Sequence, residues 1–167
     1  YIIVFMEKFS KSQWKNILFK LFIVAGVIVL DIVSKVAFYG KDIELVPGVI
    51  GIRNAGALNT GGAWGFLGEH LWMLIAVTVV FLVVVVVVEN KLRITHPLYS
   101  VAMSFVVGGA CGNFIDRIVL GGVRDFLFFE FAPTFPTFNI ADSFLCIGMA
   151  LILIYTFFVH KDSDEEE

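Results

Sequence analysis

Charge is scarce in this chain. Only 16% of its 167 residues are Asp, Glu, Lys or Arg, against 59% hydrophobic, and mean hydropathy is +0.90. A soluble domain carries about a quarter charged residues, so composition excludes an ordinary water-soluble protein and points to an integral membrane one. Cysteine is scarcer still. Cys111 and Cys146 lie in apolar segments without CxxC spacing, which excludes a disulfide framework or thiolate metal site. Each reads as a small buried hydrophobe. The histidines, His70, His96 and His160, are scattered and form no metal-ligand spacing. No phosphate-cradling P-loop occurs. The net charge of −3 comes mostly from the tail Asp162-Ser163-Asp164-Glu165-Glu166-Glu167. Such a run is a solvated end and implies no nucleic-acid partner.

What is present is long apolar runs. Residues 17–38, 71–88, 98–115 and 140–159 each read as a transmembrane helix. At 1.5 Å per residue, about 20 residues cross the ~30 Å hydrocarbon core. The first run follows a basic arm and could be mistaken for a signal peptide. Asp31 and Lys35 break its far end and no small-x-small cleavage site follows, so it reads as a span. Between the first two runs, residues 40–70 are rich in glycine, with short β-like stretches Ile43–Val46 and Val49–Arg53. These predict a small sheet and a half-buried piece carrying Trp64 and Phe66, aromatics suited to a membrane interface. Gly108, Gly109, Ala110 and Gly112 in the third run allow close helix approach. Residues 116–139 read as a mixed loop. The expected fold is mainly α and integral to the membrane: four transmembrane helices with a small extracytoplasmic β-sheet and loop between the first two. It forms one domain over 1–161, followed by the acidic tail 162–167.

Basic residues set the orientation. Lys8, Lys11, Lys15 and Lys20 precede the first span, and Lys91 and Arg93 follow the second. Both groups predict a cytoplasmic side, which puts both termini inside and residues 40–70 and 116–139 outside. Asp31, Asn59, Asp125 and Asp142 then reach one outer boundary.

Ionisable groups at that depth need a reason to be there. Asp31 and Lys35, spaced i and i+4, share a helix face. They form either an ion pair that snorkels outward or the border of a polar site. Asp116 reads as a structural partner of its neighbour Arg117. Asn113 and Asn139 satisfy helix ends or present amides to an extended peptide, with Asn139 placed to cap the fourth helix. Asp125 sits in an apolar frame, and Asp142 just inside the fourth helix, where the helix dipole favours a carboxylate. If these two approach closely they share a proton. The charged one then takes a proton from water and the protonated one polarises a carbonyl. A Ser–Lys hydrolase pairing Ser34 or Ser143 with Lys35 has no feature that activates either serine. A transporter or proton channel using Asp125 and Asp142 as a relay would need polar residues across the membrane, or an inverted repeat. A non-enzymatic lipid-binding scaffold would need only the glycines and aromatics.

The polar pieces are Asp31…Lys35, Asn59-Thr60-Gly61-Gly62-Ala63-Trp64-Gly65-Phe66-Leu67, Gly112-Asn113-x-x-Asp116-Arg117, Val123-x-Asp125-Phe126 and Phe138-Asn139-x-Ala141-Asp142-Ser143. In this order the chain resembles the lipoprotein signal peptidases (signal peptidase II), bacterial membrane aspartic proteases. The resemblance implies Asp125 and Asp142 as the catalytic aspartates, and Asn59, Gly61, Asn113, Arg117 and Asn139 as lining the substrate site. Asp31, Lys35 and Asp116 are implied in support. It also implies a prolipoprotein substrate already carrying diacylglycerol on its Cys and cleaved just before that residue. The implied enzyme uses no metal or organic cofactor, sits in the bacterial plasma membrane in contact with its lipids, and is blocked by globomycin-type inhibitors; a monomer is expected. Gly62, Trp64 and Gly65 replace the family's usual Ala, Phe and Ser, and Asn54-x-Gly56 offers a competing register.

Overall fold

The computed structural model describes residues 10–53, 56–62 and 70–159. Asn54, the Trp64–Leu67 piece, His160 and the acidic tail lie outside the described residues. Four helices among those described are long and apolar enough to cross a membrane.

Helix α1 spans Lys11–Phe38 and begins earlier than its apolar run. The cause is a reciprocal capping box: the Ser10 side chain accepts from the Gln13 N–H, and the Gln13 side chain accepts from the Ser10 N–H. A hairpin follows, with β1 at Ile43–Val46 and β2 at Ile50–Ile52. Its turn places Pro47 before Gly48 at φ 72°, closed by Val49 N–H donating to Val46 C=O at 3.0 Å. That is type II chemistry, in which glycine takes the left-handed position.

Helix α2 is Leu71–Leu92 and has no buried residue. Helix α3 is Pro97–Leu120, with proline in its first turn, where no backbone N–H is needed. It ends at Gly121, φ 79°. Strand β3, Leu127–Phe129, then pairs antiparallel with β2, Ile50 opposite Phe129 and Ile52 opposite Leu127. The mixed loop expected over 116–139 is therefore partly helix and partly strand. The strand pairs across a long sequence separation, so no local turn announces it. Helix α4, Ile140–Ile154, continues as one π-helical turn, Tyr155–Val159.

Small residues on α3 set the packing. A Cβ at Gly108 would lie 2.8 Å from the Val27 side chain of α1, and one at Gly109 would lie 2.5 Å from the Ala141 carbonyl of α4. One at Gly112 would strike Asp31 at 2.6 Å. In lipid, close van der Waals packing of this kind drives helix association. At the same end of the bundle, Ile52, Phe126 and Leu127 form a small core with Phe38, Ile50, Phe138 and Ile140 around it. That core ties the sheet to the ends of α1 and α4 and anchors the segment carrying Asp125. Cys111 is half-buried and Cys146 is exposed on the helix surface, both as free thiols. The expectation of burial fails for Cys146, because the outer face of a spanning helix is as apolar as a core position.

Candidate active site

The C-terminal half of α3, the start of α4, the far end of α1 and the segment before β3 converge. Asp125 is pinned on both sides. Val123 and Asn59 exchange backbone hydrogen bonds at 2.8 and 2.9 Å, and Phe126 N–H donates to Phe138 C=O at 3.0 Å. Asp142 is fixed by the cap of α4: Asn139 Oδ1 accepts from the Asp142 N–H at 3.0 Å, and the Asn139 N–H donates to Asp142 Oδ2 at 3.1 Å. Asn139 caps the fourth helix as its sequence position implies.

Three asparagine amides hold the two carboxylates, and two of them, Asn139 and Asn113, link one to the other. Asn139 Nδ2 donates to Asp125 Oδ1 at 2.7 Å and to Asn113 Oδ1 at 3.0 Å. Asn113 Nδ2 donates to Asp142 Oδ1 at 2.7 Å. Asn59 Nδ2 donates to Asp125 Oδ2 at 2.7 Å, and its own Oδ1 accepts from the Gly61 N–H at 3.1 Å. All four carboxylate oxygens thus accept from N–H donors. Among the described residues, no ammonium or guanidinium is within salt-bridge distance of either group. Asp125 is only 4% exposed. Burial pushes its carboxyl up to about 6; the Asn59 bond opposes this, and the charge of Asp142 adds to it.

A separate ionic cluster lies beneath. Lys35 and Asp31 are both 0% exposed and 2.7 Å apart, with Asp116 3.4 Å from the same ammonium. Arg124 grips Asp116 with Nη2 at 2.7 Å, Nε at 3.2 Å and its backbone N–H at 3.1 Å. Asp31 Oδ1 accepts from the Ala141 N–H at 2.9 Å, tying α1 to the first turn of α4.

Of the two readings open for Asp31 and Lys35, the geometry takes the second: they do not snorkel outward but are sealed between helices and border the site through Asn113. One expectation changes. Asp116 is held by Arg124 and Lys35, not by Arg117. Consecutive helical residues point about 100° apart, so Arg117 faces elsewhere, within electrostatic reach of Asp142 and Asp125. Its Nε is buried with no hydrogen-bond partner among the described residues. Sequence proximity to the aspartates marks Arg124 as a structural cation but does not name Asp116 as the carboxylate it holds. The serines are otherwise engaged: Ser34 donates to Asp31 C=O at 2.8 Å and Ser143 to Asn139 C=O at 3.1 Å. The Lys35 ammonium is bound to Asp31, Asp116 and Asn113, which removes the base that a Ser–Lys hydrolase would need.

A family model described as Signal peptidase (SPase) II matches residues 23–158, most of the chain. The chain belongs to the signal peptidase II family. The match spans every member of the site just described. Membership in this family makes the chain a peptidase. A curated lipoprotein signal peptidase from Anoxybacillus flavithermus is 34% identical over 154 residues, covering 89% of this chain and 90% of that one. Two solved structures agree in fold. One, a bacterial membrane enzyme determined in meso at 2.3 Å resolution, superposes with a TM-score of 0.76 at 33% identity, covering 89% of this chain and 91% of the other. The second, determined in meso at 1.9 Å, gives 0.73 at 33% identity, covering 84% and 93%.

Proposed function

We propose that this protein removes signal peptides from prolipoproteins by cleaving before a diacylglyceryl-modified Cys, with Asp125 and Asp142 as the catalytic pair. The observation that carries this reading is Asn139, whose side-chain Nδ2 holds the Asp125 carboxylate while its backbone N–H holds that of Asp142. One carboxylate takes a proton from water while the protonated partner donates to the scissile carbonyl. Water adds to form a tetrahedral intermediate. Its collapse sends a proton to the departing amine of the lipidated Cys and releases the signal peptide as a carboxylic acid.

Arg117 is the residue best supplied to meet the substrate, because its Nε has no partner among the described residues. Asn59, Asn113 and Asn139 line the same site while orienting the carboxylates, and Gly61 holds Asn59. The diacylglycerol keeps the scissile bond at the membrane surface, since each buried methylene contributes about 0.8 kcal/mol. The orientation fits a plasma-membrane enzyme with both termini cytoplasmic and the site near the outer face. A monomeric, single-domain organisation accords with the contiguous helical bundle, and a globomycin-type cyclic peptide would occupy the same site. A proton relay across the membrane is disfavoured, because Asp31, Lys35, Asp116, Arg124, Asp125 and Asp142 gather at one end of the bundle.

The test is incubation of the purified protein with a diacylglyceryl-modified prolipoprotein, followed by mass spectrometry. The expected product begins with the lipidated Cys, while unmodified precursor stays intact. Cleavage elsewhere, or equal cleavage of unmodified precursor, would contradict the proposal.

A further inference from the structure

The buried lysine is not needed for the chemistry just described, yet it contacts the groups that hold the pair. The Lys35 ammonium donates to Asn113 Oδ1 at 3.0 Å and is ion-paired with Asp31 Oδ2 at 2.7 Å and Asp116 Oδ2 at 3.4 Å. The third contact is the informative one. Asn113 is an amide with two chemically different ends. Its oxygen faces the ammonium, so its Nδ2 faces Asp142 Oδ1 at 2.7 Å.

Resting on the catalytic pair proposed above, we propose that Lys35 is a positioning residue that locks the orientation of the Asn113 amide, so that Asp142 meets a donor and enters the reaction as an acceptor. Rotating that amide by 180° would set its NH2 against the ammonium and against Asn139 Nδ2, and its oxygen against Asp142 Oδ1. Two donor–donor clashes and one acceptor–acceptor clash oppose the flip, and the lost lysine contact is charge-assisted. A flipped Asn113 would suit only a protonated Asp142. The lysine therefore selects which hydrogen-bonding state of the pair is ready for water. Asn139 carries the same constraint onward to Asp125 Oδ1.

The charged groups that act on the pair are Lys35 on α1 and Arg117 on α3, while Asp31 on α1, Asp116 on α3 and Arg124 in the segment before β3 gather around Lys35 and one another. Deleting Lys35 alone would leave an uncompensated buried charge. The test is therefore the charge-balanced variant Asp31→Asn/Lys35→Met, in which the new amide oxygen on α1 can still accept from the Ala141 N–H. A companion, Asp31→Asn/Lys35→Gln, keeps a neutral donor in place of the ammonium.

Kinetics are measured between pH 5 and 9 on a diacylglyceryl-modified prolipoprotein, with folding checked by thermal denaturation. In the methionine variant kcat falls about a hundred-fold, the scale of a small misplacement of reacting groups. KM stays within about threefold. The acidic limb of the kcat profile moves up by about one pH unit, because the released Asn113 amide no longer holds its N–H donor on the Asp142 carboxylate. Asn113→Ala gives the same changes, and adding it to the methionine variant lowers kcat by less than about threefold more, the non-additivity of groups acting in series. If methionine prevents folding, the glutamine variant reads the same limb shift, since its own amide can turn either its NH2 or its oxygen to Asn113 and so does not lock it.

Wild-type kcat and an unmoved acidic limb in either folded variant would overturn the proposal, as would losses that multiply with Asn113→Ala. Asp142→Asn is assayed beside them. If it turns over like wild type, the catalytic pair itself fails. If it is inactive while the Lys35 variants behave as wild type, only the positioning role fails.

Discussion

Asp116 and Asp142 stand on adjoining helices at one end of the bundle, and their surroundings differ in kind. Asp116 accepts from a guanidinium and lies beside an ammonium; its charge is balanced by Arg124 and Lys35. Asp142 accepts from a side-chain amide and a backbone N–H, both neutral. Asp125 is treated like Asp142, with two amides and, among the described residues, no cation in contact. Cations at close range make a carboxylate a fixture. Neutral donors orient it without neutralising it, and burial raises the Asp125 carboxyl well above the ordinary carboxylate range. The same residue type thus serves as scaffold in one layer and as chemistry in the next.

The largest expected effect on this contrast comes from Asp125→Asn, which replaces a proton acceptor with a neutral amide. We expect kcat to fall about a thousand-fold, within the range of general acid–base contributions, in steady-state assays on lipidated substrate. The next effect strikes the ionic layer. Asp116→Asn leaves two cations short of a partner and should destabilise the protein by about 3 kcal/mol, read by thermal denaturation in detergent.

Two glycine substitutions separate the layers further. A Cβ at Gly112 would press on Asp31 Oδ2 at 2.6 Å, whereas one at Gly122 would press on Leu58 Cβ at 2.8 Å, next to Asn59. Overpacking of this kind costs about 1–3 kcal/mol. Gly112→Ala should lower the melting temperature with a small loss of activity in the folded fraction. Gly122→Ala should shift Asn59 against Asp125 and cost activity more than stability.

The smallest effect is in pH. The Asp125 carboxyl is raised from 3.8 to about 6 in the fold, so its contribution to stability is fully present below about 4 and is lost as pH rises through 6. Activity shares that sense on its basic limb. With Asp142 ionised, the pair holds its single proton on Asp125 below about 6 and loses it as pH rises above. Melting temperatures of wild type relative to Asp125→Asn, taken at pH 5 and pH 7, should therefore be higher at pH 5.

Much of this architecture is legible in the linear chain because a bilayer demands long apolar runs. The third and fourth spans, the glycine contacts of α3 and the Asn139 cap follow from local pattern. The start of α1 at Lys11 escapes a hydropathy reading, because the Ser10 and Gln13 box lies in a polar arm ahead of the apolar run. Strand β3 escapes it too, because three residues pairing at long range carry no periodicity of their own. The pairing of Asp116 with Arg124 instead of Arg117 depends on how the chain turns back after Gly121. The inward Lys35 is hidden for a similar reason: i,i+4 spacing names a shared face but not which way that face looks.

The central claim is that the amide-held aspartates do the chemistry and the cation-held one does not. The direct measurement is turnover of a diacylglyceryl-modified prolipoprotein by purified Asp142→Asn and Asp116→Asn, each normalised to folded protein. The account predicts a loss of about a thousand-fold for Asp142→Asn at near wild-type melting temperature. Asp116→Asn should melt early, yet its folded fraction should cleave within about tenfold of wild type, since Asp116 supplies no group to the reaction. Wild-type turnover by Asp142→Asn, or an Asp116→Asn protein that is stable and inactive, would contradict it.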